Sequence, residues 1–446
     1  MYFKLRERRK KTTAAENGKI IIYRIKCIIL KRFPDLWTGF KSLTDCRKRK
    51  EYSMQEVVAG ALFMFIFKET SRNAYNSDRG DVIFAKNYYR NFKLHLPHPD
   101  TIDQVMRDLP PQLLEELKAQ LVGRLIEQKT LRRFRFQDKY YFVAVDATGI
   151  QTFTKRHCEH CMTRTSKKGV VTYFHYVLEA KLVSSSGHAI SLASEFIENL
   201  EHRDFNKQDC EQKAFVRLAV KIKHYFPRLP ICILADGLYP NDTTFGICRR
   251  NDWRFIITLK EGCLKTFNEE AGLLNATAKG CSVARADKST RTLLEYKFLN
   301  DIEYKKHNYS WVSCNETVIY RSEKDNKVQQ FVYITDLHLT TGNVANTADG
   351  GRLRWKIENE GFNTQKNSDY KMEHKYSRKS YNAMQNYYQM LQIAHMINQF
   401  TEKSRDFIEL LKQYSKQTIK ALWKELLTFM KSIPYTPAQL QEFISG

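Results

Sequence analysis

Asp146 closes the apolar run Tyr141-Phe142-Val143-Ala144-Val145, and Asp236 closes Ile231-Cys232-Ile233-Leu234-Ala235. Glu358 lies in the helical run Arg352-Leu-Arg-Trp-Lys-Ile-Glu. Carboxylates at the ends of two buried strands can converge in space, and a helix can bring a third to them. Magnesium or manganese takes hard oxygen ligands, and magnesium keeps several waters, so two or three carboxylates plus substrate phosphates suffice to hold it. Two such ions a few Å apart would activate a water and stabilise the leaving oxygen of a phosphodiester. Taken alone, a strand ending in Asp-Ala-Thr-Gly or Asp-Gly is an ordinary turn. The combination with the helical glutamate is what favours a metal site.

Helix geometry selects which glutamate. Residues four apart share a face, so Arg354, Glu358 and Phe362 line up, whereas Glu360 is turned roughly 200° away from Glu358. Glu358 is therefore the expected ligand and Glu360 a solvated charge. Arg354, one turn earlier, either contacts a phosphate or orients Glu358. Lys366 and Lys371 are phosphate contacts or part of a solvated face.

His157-Cys158-Glu159-His160-Cys161 is a second signal. A Cys-x-x-Cys pair has the bite that puts two thiolates on one tetrahedral zinc, and His157, His160, His175, His202 and Cys210 are possible completing ligands. With no second pair at standard spacing, a reduced loop without metal is the other reading. A redox role is disfavoured, because the context is not strand-helix as in a thioredoxin-type motif.

Composition points to a polyanionic partner. Lys and Arg number 73 against 49 Asp and Glu, a net of +24, with a pI near 9.5. Residues 1–50 alone hold 16 basic and 4 acidic side chains, a net of +12, ending in Arg47-Lys48-Arg49-Lys50. Such a surface binds DNA or RNA with steep salt dependence. The longest apolar run, Val57 to Phe67, is about half of what a bilayer helix requires. The start, Met-Tyr-Phe-Lys-Leu-Arg-Glu-Arg-Arg, carries no apolar signal region. Ten cysteines in 446 residues do not form a secreted disulfide scaffold, and a reducing, cytoplasmic location is expected.

The elements that must position these residues follow from pattern. Residues 1–136 are expected to form a helical, basic DNA-binding domain, with helices at 53–69 (Ser53 as cap, Glu56 in the first turn), from His98 onward and over Pro111–Gln128. From residue 137 strands take over: Tyr140 to Asp146, Val171 to Val183 and His188 to Phe196. A helix over 209–225 follows, then strand Pro230 to Asp236, helix Pro240 to Asn251 and strand Trp253 to Leu259. This order is that of a mixed sheet flanked by helices. The reading makes 137–259 the first part of an α/β core and 260–345 a β-rich insertion. The second core part, 346–400, carries the glutamate helix, and 401–446 is a helical C-terminal region.

On these blocks the chain resembles DDE transposases of the cut-and-paste insertion-sequence type, whose catalytic core is RNase H-like. In that family the first Asp ends the first strand and the second Asp ends the fourth. The Glu sits on a helix after an inserted β domain, within a Tyr-x2-Arg-x3-Glu-x6-Lys signature. Arg354 and Glu358 match that spacing, and Asp146 and Asp236 fit the other blocks. Gly351 stands where Tyr is expected, and Gln365 where Lys is expected, with Lys366 next to it. The resemblance covers about residues 139–400. It implies that Asp146, Asp236 and Glu358 are catalytic and hold Mg²⁺ or Mn²⁺. It also implies that Arg354, Lys366, Lys371 and Arg47 to Lys50 contact double-stranded DNA, at terminal inverted repeats and at the target, and that a homodimer forms the nucleoid-associated synaptic complex. An aromatic of the inserted region, such as Trp311, would stack on an extruded base, worth ~1–3 kcal/mol; sheet packing is its other reading. The alternatives are a non-catalytic DNA-binding protein derived from a transposase and an RNase H-like nuclease.

Overall fold

The computed structural model describes residues 12–198, 210–286, 290–320, 327–378, 380–413 and 415–432. The chain divides into two compact units, one formed by 129–363 and the other by 1–128 together with 364–446. Among the described residues no helix is long and apolar enough to cross a membrane.

The 129–363 unit is an α/β body built on one mixed sheet of eleven described strands. They are β1 (Arg135–Phe136), β2 (Tyr140–Phe153), β3 (Met162–Thr165), β4 (Val171–Val183), β5 (Ala189–Ile197), β6 (Ile231–Ala235), β7 (Arg254–Thr258), β8 (Lys279–Ala286), β9 (Thr290–Tyr304), β10 (His307–Tyr320) and β11 (Lys327–Thr335). The spatial order runs β4-β2-β6-β7-β11-β10-β9-β8, with β5 and β3 both on the outer edge of β4 and β1 against the start of β2. β2 with β6, and β6 with β7, are parallel; every other pairing is antiparallel. A parallel pair needs a crossover, and the helix Asp242–Asn251 supplies it between β6 and β7. β6 is buried along its whole length, as the continuous apolar run Ile231–Ala235 requires of a strand covered on both faces.

The inserted β region is not a separate layer. β11 pairs with β7 through Tyr333–Thr258, Ile334–Ile257 and Thr335–Ile256, so β8 to β11 extend the same sheet. Next comes the helix Val344–Arg352, which lies close on that sheet because two glycines allow it. A Cβ at Gly350 would meet the Phe142 ring at 2.4 Å, and one at Gly351 would meet the Tyr333 ring at 2.7 Å. Tyr333 thus fills the space that the tyrosine expected at 351 would need.

The other unit is helical. The helix Met54–Ile66 opens with Ser53 as its cap, as expected, and Glu56 completes a capping box, Ser53 receiving Glu56 N–H and Glu56 receiving Ser53 N–H; the helix is apolar all round and buried. Helices Pro99–Asp108 and Pro111–Glu127 form where the sequence places them, each with proline at its first position. At the centre lies Tyr381–Glu402, buried over nearly its whole length despite its amides. Asn386 donates to the carbonyls of Met106 and Leu109, and Asn398 donates to that of Ile66. These are helix-end carbonyls that have no partner in their own helices.

Two expectations are corrected here. Residues 1–136 are not a domain by themselves, nor are 401–446 a separate region or 364–400 part of the core. Helix Tyr381–Glu402 packs on Met54–Ile66, Pro99–Asp108 and Pro111–Glu127, and Ile419–Ser432 packs on Ala14–Arg32, so both ends of the chain share one apolar core. Asp146 does not end its strand: the Ala-Thr-Gly read as a turn pairs in register with Leu178, Val177 and Tyr176 of β4, and β2 runs on to Phe153 past a register irregularity at Ile150.

Candidate active site

Strand register brings the two aspartates together. The parallel β2/β6 ladder pairs Ala144 with Leu234, and each aspartate is two residues beyond that pair, on neighbouring strands spaced by about 4.8 Å. Asp236 does end its strand; its Oδ1 accepts from Leu238 N–H at 2.9 Å, and its Oδ2 lies 3.3 Å from Lys260 Nζ.

Glu358 comes from a different element than expected. The helix stops at Arg352, a turn follows, and Ile357–Asn363 winds as a π-helix packed on β2, β4 and β5. Such wide turns frequently occur at functional sites. The four-residue relation still holds at its entrance. Arg354 Nη1 donates to Glu358 Oε1 at 2.8 Å, and the same nitrogen lies 3.7 Å from Asp146 Oδ2. Glu360 is turned to Lys356 at 2.6 Å. The Arg354 side chain is 9% exposed and its guanidinium sits over the Trp355 ring, so it faces the acids from inside the protein. That is the geometry of a positioning cation.

Asp146 carries the electrostatic mark of this crowding. Burial first, then the charge of Glu358, pushes its carboxyl up to about 7; Arg354 and the Ala147 N–H oppose, and Glu211 adds to the rise. Glu211 is the acid that sequence reading missed. It opens the helix Glu211–Tyr225, and its own carboxyl is raised by burial and then by Asp236, against hydrogen bonds from Tyr239 and Tyr176. The only sequence signal was an acid in a first helical turn, which is where acids sit for the helix dipole in any case. A further acid, Glu179, stands directly across β2/β4 from Asp146. It is fully buried, paired with Lys181 at 3.3 Å and hydrogen-bonded by Ser194, so its charge is already balanced.

Beside Glu211 opens a cavity of about 730 Å³, walled by Gly149, Thr152, Phe174, Tyr176, Ile197 and Leu238. Trp311 is half-buried on β10, in register with Leu299 and Ile334.

The basic residues named from sequence are not equivalent. Lys48, Arg49, Lys50 and Lys371 are exposed, and Lys366 is paired with Glu373. Arg47 is turned inward, its guanidinium bound to Asp45 and to the Tyr52 carbonyl, so it serves the loop. Gln365, in place of the signature lysine, is buried and bonded to Gln392 and His395. His202 and residues 1–11 of the basic N-terminus lie outside the described residues.

No protein-family model and no curated protein matches this chain.

Proposed function

We propose that the chain is a DDE-type DNA transposase, a metal-dependent enzyme that cuts at the terminal inverted repeats of a mobile element and joins the ends to target DNA. The observation that supports this reading is that Arg354 bridges Asp146 and Glu358 while the β2/β6 register sets Asp236 on the strand beside Asp146. Counting β2, β4, β5, β6 and β7 as five core strands, Asp146 lies on the first and Asp236 ends the fourth. The glutamate follows the β8 to β11 insertion. That order supports an RNase H-like core.

The donor set suits a hard cation. Asp146 and Glu358 share the Arg354 guanidinium, Asp236 faces Lys260, and the Asp146 carboxyl is raised first by burial and then by the charge of Glu358, an environment in which a bound cation would favour the carboxylate. Asp146, Asp236 and Glu358 would hold Mg²⁺ or Mn²⁺, which when bound supplies an activated water and charge stabilisation at the phosphodiester. Arg354 fixes the Glu358 carboxylate and lowers its repulsion with Asp146. Lys260, exposed beside Asp236, is placed to meet a phosphate. The freed 3′-hydroxyl is then the nucleophile for strand transfer. The excess of positive charge supplies DNA affinity, with a homodimer holding both ends.

The test is supercoiled-plasmid nicking with Mg²⁺ or Mn²⁺, and joining of pre-cut ends carrying the flanking inverted repeats of the gene. Wild type should do both and Asp146→Asn neither. Nicking without joining supports a plain nuclease, and DNA binding without either activity supports a non-catalytic descendant.

A further inference from the structure

We infer that Cys158, Cys161, His175 and His157 form a structural zinc site that clips the β2–β3 connection onto β4. The site lies in the same unit as the acids but roughly 20 Å further along β2, at 3.3 Å per residue beyond Asp146, and it does not depend on the reading of the acids.

The spacing is that of a tetrahedron. Cys158 Sγ and Cys161 Sγ are 3.8 Å apart, and His175 Nε2 lies 3.6 Å from the first and 3.8 Å from the second. With Zn–S near 2.3 Å and Zn–N near 2.0–2.1 Å, tetrahedral angles give S–S and S–N edges of about 3.6–3.8 Å. A disulfide would need its sulfurs at about 2.05 Å. The fourth corner falls to His157, whose ligand atom lies within 4.8 Å of those of Cys158 and His175 in a grouping that leaves Cys161 out, so its ring has to swing inward as the cation binds.

Local structure explains why these four meet. The chain turns between Cys158 and Cys161, Cys161 N–H donating to the Cys158 carbonyl, which points both sulfurs the same way. His175 is fixed by register: it sits on β4 opposite Gln151 of β2 and is 2% exposed. His157 is held by stacking on Phe153 at the end of β2, ring centroids 4.3 Å apart and nearly parallel. Two of the other ligands considered from sequence, His160 and Cys210, are placed elsewhere. His160 pairs with Glu198 at 2.9 Å, and Cys210 is the exposed N-cap of the helix Glu211–Tyr225. With His157 drawn in, four protein ligands would close the coordination shell, which makes the site structural, with no open position for catalysis.

The experiment is metal analysis of the full chain expressed with zinc, followed by cobalt substitution. One zinc per chain is expected, replaced by Co²⁺ with the thiolate charge-transfer and d–d bands of a tetrahedral two-sulfur, two-nitrogen site. Titrating both thiols of the wild type with a mercurial should release that zinc, a readout that needs no variant to fold. His160→Ala should keep full zinc, while Cys161→Ser and His175→Ala should lose it. His157→Ala should shift the cobalt bands as water replaces a nitrogen. Zinc content near zero in the wild type, or a Cys158–Cys161 disulfide in protein purified without reductant, overturns the site; unchanged cobalt bands in His157→Ala overturn its four-ligand form.

Discussion

Arg354 donates to Glu358 across 2.8 Å, one turn along the chain, from a side chain that is itself buried against Trp355. The same nitrogen faces Asp146. The arginine therefore sets where these two carboxylates stand. Arg354→Ala should leave DNA binding near wild type while raising the Mg²⁺ needed for half-maximal nicking by about 10–100-fold, the usual range when a residue behind a metal ligand is lost. Arg354→Lys should recover only part of this, because a single ammonium cannot reproduce the planar fork. A Mg²⁺ titration of nicking with both variants decides it, and an unchanged midpoint would remove Arg354 from the site.

Burial and then the charge of Glu358 raise the Asp146 carboxyl, so removing its charge should relieve the cation-free protein. Asp146→Asn is expected to melt about 2–4 °C higher than wild type in EDTA, which for a body of this size corresponds to ~1 kcal/mol. Nicking should fall to the uncatalysed background. Adding Mg²⁺ should raise the melting temperature of the wild type and leave the variant unmoved. Thermal melts with and without the cation measure both effects, and a variant that melts lower in EDTA would mean that Asp146 is held by partners that outweigh its repulsion.

The contrast between these acids shows what a sequence exposes. Asp236 was legible because an apolar run of five followed by Asp-Gly leaves little else for a buried parallel strand to do. The Ser53–Glu56 capping box was legible for the same local reason. Asp146 was singled out for the wrong reason, since the glycine read as a stop sits beside a bulge inside a strand that continues to Phe153. Glu211 was invisible: its meeting with Asp236 and Asp146 is made through space, by a helix start that carries no unusual local pattern. The union of both chain ends in one helical unit was hidden likewise, because amides such as Asn386 and Asn398 look polar in sequence and are buried against the ends of helices that lie hundreds of positions away. Periodicity reports what a residue does in its own element, and these contacts belong to pairs of elements.

Gly351 offers a test of packing that is independent of chemistry. A methyl there would stand 2.7 Å from Tyr333 Cε1 and 3.0 Å from Ile256 Cγ2, both on strands at the centre of the sheet. Gly351→Ala should therefore destabilise by about 1–3 kcal/mol, the range for an overpacked core. Tyr333→Leu should offset part of that loss in the double variant, since it removes the ring atoms in the way. Urea denaturation of the two single variants and the double measures the coupling; strictly additive losses would show that Tyr333 is not what excludes a side chain at 351.

Glu69 makes the helical unit sensitive to pH. It is buried beside Asp78, and its carboxyl is pushed up to about 9 by burial, then by the hydrogen bond and charge of Asp78, with Lys431 opposing. Asp78 in turn is paired with Lys431, and the Glu69 carbonyl accepts from the Tyr376 hydroxyl. The folded state thus keeps a proton on Glu69 at pH values where the unfolded chain, with an ordinary carboxyl near 4.5, has released it. Because the folded form binds more protons, stability from this group is fully present below about pH 4.5 and is lost progressively as pH rises through about 9. Glu69→Gln supplies a permanently neutral side chain of nearly the same shape, so it should match wild type in acid and exceed it increasingly from neutral to alkaline pH. Chemical denaturation of both proteins at pH 6, 7.5 and 9 gives the comparison. A constant difference across that range would show that Glu69 does not carry the proton, and a variant less stable at pH 9 would show that its carboxylate is balanced by Lys431.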